Sequence, residues 1–234
     1  MSIRKVSLVE GEYYHIYNRG SGKSQIFLDD QDRDRFIKNL YLCNTVSKIN
    51  FRRDIVEKKI DAWDFEREER IVSIGAWCLM PNHFHLYIFF RKGIAFVEGD
   101  EEERNAISTF MNKLCTSYTM YFNKKYKRSG SLFEGKFKSV HVKDEIQAKY
   151  LFSYIHLNPI KLIQSDWKEK GIIDQNTAIN FLNSYKWSSC FDYQMKKRKE
   201  NIIINKEDFP GPFLSKNDFE KELLEWVNPK ENPF

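Results

Sequence analysis

Pro81-Asn82-His83-Phe84-His85-Leu86-Tyr87-Ile88-Phe89-Phe90 is the stretch from which the rest of the chain can be read. Its residues alternate in character with a period of two, as in a β-strand whose faces meet different surroundings. His83, His85 and Tyr87 project to one side, and Phe84, Leu86, Ile88 and Phe90 to the other, which is a wall of core. At a rise of about 3.3 Å per residue the two imidazoles stand roughly 6 to 7 Å apart, within reach of one divalent cation. A half-buried aromatic strand would show the same alternation. A metal reading therefore needs a third ligand and a reacting group from elsewhere in the chain.

Ile71 to Met80 is a second apolar strand, and Pro81-Asn82 is the tight turn that joins the two into a hairpin. Upstream, Glu12 to Arg19 is aromatic and β-branched and stops at Gly20-Ser21-Gly22, as a first strand would. Asp29 or Asp30 caps a helix expected to run to about residue 47, with Phe36, Ile37, Leu40 and Tyr41 as its apolar stripe. Residues 48 to 70 turn charged and read as an insertion of open structure. The acidic stretch Glu98 to Glu103 is a surface link. A long helix is expected from about Arg104 to Asn123, its stripe running from Ile107 to Phe122.

Ser131 to Val142 reads as one strand with a glycine kink, placing Lys136 and Lys138 on one face. Asp144 caps a further helix to about Asn158, where Pro159 disturbs it. Tyr150, Tyr154 and Asn158 share one face of that helix, with Leu151 and Ile155 on the buried face beside it. A last amphipathic segment starts at Ser215 and Asp218 and carries Phe219, Leu223, Leu224 and Trp226.

The order strand, helix, strand, strand, helix, strand, helix gives an α+β fold. It is a ferredoxin-like antiparallel sheet with helices on one face, plus an added helix. The expected division is a domain over 1–165 and a partly helical C-terminal extension over 166–234.

Composition narrows the function classes. The chain has 234 residues and a formal net charge of +5, which permits a polyanionic partner without demanding one. Cys43, Cys78, Cys115 and Cys190 form no CxxC pair, so a reducing, cytoplasmic environment is expected. No apolar run approaches a membrane span, and Met1 to Val9 has no apolar h-region. Gly22-Lys23-Ser24 invites a phosphate-loop reading that fails, because Tyr17 stands where that motif needs its first glycine. Seven Lys and Arg residues lie between Lys124 and Lys143 among aromatics. That combination suits a single-stranded nucleic acid, whose phosphates seek cations and whose bases seek rings, and it suits a solvated edge strand equally well.

Four blocks together resemble the single-tyrosine HUH transposases, especially their REP-associated branch. They are Tyr14 to Gly20, Ala76 to Leu86, Gly130 to Ser139, and Tyr154-Ile155-His156-Leu157-Asn158-Pro159. The resemblance covers roughly residues 10 to 165. It implies that His83 and His85 are metal ligands, that Asn158 completes the site, and that Tyr154 is the nucleophile. Spacing alone leaves Tyr150 and Tyr154 equivalent. The implied activity is cleavage and rejoining of single-stranded DNA through a 5′-phosphotyrosine intermediate, with Mg²⁺ or Mn²⁺ as cofactor. Two imidazoles and an amide oxygen suit Mn²⁺ somewhat better.

The implied partner is single-stranded DNA displayed beside hairpin or repeat elements, with room for a homodimer. Arg19, Arg128, Lys136 and Lys138 are the candidate phosphate contacts, with Phe133, Phe137 or Tyr126 for stacking. Phe133 departs from the family, where tryptophan is expected; stacking would survive and an indole N–H contact would be lost. A domesticated repeat-processing nuclease and a non-catalytic single-strand binder remain as alternatives. His15 is expected to be a hydrogen-bonded structural histidine, His141 a strand residue, and His156 to lie beside the site or at the surface.

Overall fold

The computed structural model describes residues 7–94, 105–194, 196–209 and positions 219, 221, 223 and 225. The acidic link at 98–103 lies outside these residues, as do Ser215, Asp218, Leu224 and Trp226 of the final segment. Four strands form one antiparallel sheet: β1 (Tyr13–Arg19), β2 (Ser73–Met80), β3 (His83–Phe89) and β4 (Lys138–Val142), in the order β2-β3-β1-β4. Helices α1 (Asp30–Leu42) and α2 (Ala106–Lys125) follow β1 and β3, and α3 (Glu145–Leu157) follows β4. The α+β class with an antiparallel sheet is therefore as the sequence order predicts.

The first core is built where alternation demands it. Tyr14 and Ile16 of β1 and Phe84, Leu86 and Ile88 of β3 are buried against Phe36 and Leu40 of α1 and Phe110 and Tyr118 of α2. Asp29 caps α1 by accepting from the Asp32 N–H at 3.0 Å, and Asp32 answers with a reciprocal bond to the Asp29 N–H. Asp32 is fully buried because it also accepts from Leu28 N–H at 2.8 Å, Lys125 Nζ at 2.8 Å and the hydroxyls of Tyr121 and Tyr126. One carboxylate thus joins the start of α1 to the end of α2. Asp32→Ala is expected to cost about 2 to 3 kcal/mol in urea denaturation, since it leaves the Tyr121 hydroxyl and the Leu28 N–H without their acceptor, while Lys125 and Tyr126 keep Asp29.

α1 ends at Leu42, short of the predicted residue 47, because Asn44 commits its side chain elsewhere. Its Oδ1 accepts from the N–H groups of Ile71 and Val72 at 3.0 Å each, and its Nδ2 donates to Val72 O at 2.9 Å. The charged segment 48–70 that follows is anchored: Ile55 and Ala62 are buried in the first core, and the Arg67 guanidinium donates to Tyr41 O and Asn44 O.

Two boundaries in the second half also differ. Residues 131–137 are not strand: Gly135 adopts φ 70°, and regular pairing begins only at Lys138. α3 gives way to a 3₁₀ turn at Asn158–Leu162, with Pro159 in its first turn, where the missing N–H costs nothing.

The second face of the sheet is also covered. Ala76 and Cys78 of β2 and Tyr87 of β3 pack against Leu151, Phe152 and Ile155 of α3. The same core takes in Trp167 of α4 (Trp167–Lys170), Leu182 of α5 (Gln175–Ser184) and Tyr193 of α6 (Cys190–Tyr193). Residues 187–189 run along the free edge of β2, with Leu79 N–H donating to Trp187 O and Ser189 N–H to Trp77 O, each at 2.9 Å. The edge is thereby closed to pairing with another chain.

Candidate active site

The histidine face of β3 is extended by its neighbour. In the antiparallel register His83 stands opposite Arg19, His85 opposite Tyr17 and Tyr87 opposite His15, and residues directly opposite share a face. The floor therefore carries three imidazoles and two phenols from two strands, of which Tyr87 is buried in the second core. α3 crosses above it. Capped by Asp144, whose side chain accepts from Gln147 N–H at 2.8 Å, the helix brings Tyr154 and Asn158 over the floor while Leu151 and Ile155 enter the second core.

The resulting distances are short. The Tyr154 ring centroid lies 5.5 Å from His85 and 6.0 Å from His15, edge-on in both cases. Tyr150 stacks on Tyr154 at 6.0 Å, one turn back along the helix. Of the two tyrosines that spacing left equivalent, Tyr154 is the one seen to meet the imidazoles. His83 and His85 stand at 4.9 Å, ring edge to ring face. Asn158 Nδ2 approaches His85 Nε2 at 3.4 Å.

Partners fix the tautomers. Asn82 Oδ1 lies 2.6 Å from His83 Nδ1, so that nitrogen carries the proton and Nε2 keeps its lone pair. At His85, Nε2 faces the Asn158 amide nitrogen and accepts; Nδ1 then donates to His15 Nε2, 2.8 Å away. His15 is thus the hydrogen-bonded histidine that the sequence suggests, and its partner is a candidate ligand, which it orients.

Burial holds these rings neutral. It lowers the His83 pKa to about 4, with the charge of Lys161 adding to the effect and Asn158 opposing it. It also takes His85 well below the ordinary value, where His15 and His83 add to the effect. His15 drops to about 3, from burial and then Lys168. Burial raises the Tyr154 phenol, and the amide of Asn158 opposes that shift.

A divalent cation fits this donor set in part. His83 offers a lone pair at Nε2, that of His85 faces Asn158 Nδ2 at 3.4 Å, and the buried Oδ1 of Asn158 has no hydrogen-bond partner; an orphaned amide oxygen next to two neutral imidazoles is what a cation would satisfy, with the amide turned to present its oxygen. Among the described residues no group of three His, Cys, Asp or Glu side chains is placed to hold a metal. The set is therefore uncharged, and tight binding needs negative charge brought by the substrate.

The candidate DNA contacts fall into separate groups. Arg19 and Lys138 are on strands at register positions of the histidine face. Arg19 is ion-paired with Glu134. Phe133, Lys136 and Phe137 line a cavity of about 760 Å³ on the α2 side of the sheet, with Asn18, Met111 and Cys115. Phe133 is only 5% exposed and packs on Phe84 and Tyr118. Its reading as a free stacking platform is therefore corrected: the ring is core. Arg128 rests 5.4 Å over Phe122 at the end of α2.

His156 also departs from expectation. It is fully buried, with Nδ1 2.9 Å from Phe152 O and Nε2 2.7 Å from Ser189 Oγ, and Ser189 Oγ accepts from Trp77 N–H. This histidine ties the helix of Tyr154 to β2. Sequence reasoning missed that link because Ser189 lies in the extension that was set apart. It also missed Lys168, whose Nζ lies 3.9 Å from the centroid of the Tyr154 ring.

Among solved structures the chain is similar to one described as a REP-associated tyrosine transposase bound to a REP hairpin, with 15% sequence identity and a TM-score of 0.44. The match covers 92% of this chain and 94% of that one. No family model and no curated protein matches. Among the described residues no helix is long and apolar enough to cross a membrane.

Proposed function

We propose that the protein is a transposase-type strand transferase that cleaves and rejoins single-stranded DNA, with Tyr154 as the nucleophile. The observation that carries this reading is the convergence of Tyr154 and Asn158 from α3 onto His83 and His85 of β3, with the amide 3.4 Å from one imidazole and the phenol ring 5.5 Å from it. A pure binding protein has no use for two neutral imidazoles, one of them buried, beside a phenol and an unpartnered amide oxygen.

The chemistry follows from these groups. A tyrosine with an ordinary pKa of about 10 is phenolate only about one part in a thousand at neutral pH, and burial here raises that pKa further. The phenol therefore stays protonated until a phosphodiester is bound. Tyr154 Oη then attacks phosphorus, the P–O3′ bond breaks, and the departing 3′ oxygen leaves with the electron pair and takes up a proton. The tyrosine proton passes to solvent, so the step is balanced. The new phosphotyrosine keeps the energy of the phosphodiester, and rejoining needs no nucleotide triphosphate.

His83, His85 and Asn158 would hold the divalent cation, which when bound polarises the scissile phosphate and stabilises the leaving oxygen. Asn82 and His15 hold the two imidazoles in the tautomer that such binding needs. The partner is DNA with a single-stranded cleavage site, and both an active mobile-element enzyme and a domesticated repeat nuclease use the same chemistry. Flanking inverted repeats beside the coding sequence would separate them.

The test is incubation of the full chain with Mn²⁺ or Mg²⁺ and a labelled hairpin oligonucleotide bearing a single-stranded flank. The expected result is a denaturant-resistant protein–DNA adduct that needs the metal and is lost in His83→Ala, with DNA binding retained. Binding without any adduct would leave the non-catalytic binder as the correct reading.

A further inference from the structure

We propose that Lys168, from the segment beyond α3, is a further catalytic residue: its ammonium contacts the phosphodiester that Tyr154 attacks and neutralises the charge gathering on it. The inference rests on the strand-transfer reading above and adds a residue that the metal and nucleophile set does not contain.

Lys168 Nζ stands 3.9 Å from the centroid of the Tyr154 ring. Any phosphate bonded to Tyr154 Oη must lie just beyond the edge of that ring, within the sweep of a four-carbon side chain. The placement is built. Lys168 lies on α4, whose Trp167 is 7% exposed in the second core. Gln164 clamps the two sides of that turn, donating to Gly171 O at 2.7 Å and accepting from Ile173 N–H at 3.1 Å. Lys168 is exposed as a residue, while its Nζ lies over the Tyr154 ring.

The charge is also unspent. Among the described residues neither Lys168 nor Lys161, three positions past Asn158, forms an ion pair within 4.0 Å, whereas Lys170 on the same turn is paired with Asp166 at 2.7 Å. The charge of Lys168 reaches His15 and His85, and that of Lys161 reaches His83, His85 and Lys168 itself. Two like charges gathered over an uncharged donor set repel each other and a bare cation alike. A phosphodiester removes both conflicts, because its negative charge pairs with the lysines and supplies what the imidazoles and amide lack. A lysine serving only to pack on the ring would have no need of that convergence.

During attack Lys168 keeps its proton and exchanges nothing; it stabilises the non-bridging oxygens as charge builds on them. Sequence reading had no means of finding it, because nothing in Trp167-Lys168-Glu169-Lys170 distinguishes one lysine from the other.

The test compares wild type, Lys168→Met and Lys168→Arg in single-turnover adduct formation at saturating hairpin DNA. A salt titration of DNA affinity runs alongside, in a Tyr154→Phe background. Lys168→Met is expected to slow adduct formation at least about 10-fold, with Lys168→Arg within about 3-fold of wild type. The slope of log affinity against log salt is expected to fall by about 0.7, as for loss of one contact to a single strand. A Met variant as fast as wild type, or an Arg variant as slow as Met, overturns the assignment. If wild type itself forms no adduct, the strand-transfer reading falls, and an unchanged salt slope then overturns the phosphate contact separately.

Discussion

Tyr154→Phe is expected to abolish the covalent adduct altogether while leaving affinity for single-stranded DNA within about 3-fold of wild type, because it removes the oxygen proposed to bond to phosphorus and keeps the ring. The ring is what the surroundings hold: His15 and His85 meet it edge-on, Tyr150 stacks against it, and Lys168 lies over it. The variant should therefore fold and bind. Tyr150→Phe is the matched control and should react normally. The structure adds a third phenol, because the Tyr17 ring stands 6.0 Å from His85 on the floor itself. An adduct that survives in Tyr154→Phe and disappears in Tyr150→Phe or Tyr17→Phe would move the nucleophile to that residue. Denaturing gels of the metal-loaded reaction, with anisotropy for binding, decide the question.

The second large effect is a loss of stability in mild acid. His156 is pushed to about 3 by burial, which outweighs its bond to Phe152 O. His15, His83 and His85 are lowered by burial as well. Each of these folded values lies below the unfolded histidine value of about 6.5, so below that pH the unfolded chain binds protons that the folded chain refuses. Stability is intact above about pH 6.5 and falls as pH drops, by about 1.4 kcal/mol per unit for each histidine. At pH 5 that amounts to about 2 kcal/mol for each of His83 and His156, with the His15 and His85 pair adding loss in the same direction, a large share of the stability of many domains. His15 and His85 share a hydrogen bond and titrate as a pair. Urea denaturation at pH 7.0, 6.0 and 5.0 should show the midpoint falling steeply, with unfolding near pH 5 in the absence of metal. A flat midpoint across that range would contradict four neutral imidazoles, two of them buried and two half-buried.

Much of the fold was legible because it follows from local periodicity. Alternation in Phe84, Leu86 and Ile88 puts His83, His85 and Tyr87 on the opposite face in any sheet that buries those three side chains. The caps Asp29 and Asp144 announced α1 and α3, since each carboxylate has backbone donors three residues ahead. Tyr154 and Asn158 share a face by helical spacing alone. Where the chain was misread, a distant partner had overridden a local preference. Asn44 ends α1 early by binding the backbone of Ile71 and Val72, and Gly135 delays β4 with a backbone conformation that composition does not disclose.

The sequence by itself therefore determined which residues share a strand face or a helix face, and so which groups can act together if the two faces meet. Only the tertiary structure decided that they do meet. It set Tyr154 rather than Tyr150 beside His85, oriented His85 through His15 from the neighbouring strand, consigned Phe133 to the core, and folded the region after residue 165 back so that Ser189 holds His156 and Lys168 overlies Tyr154. The physical reason is one of range. Periodicity and capping act over a few neighbouring residues, whereas strand register, and packing between segments distant in sequence, are settled by which surfaces exclude water together.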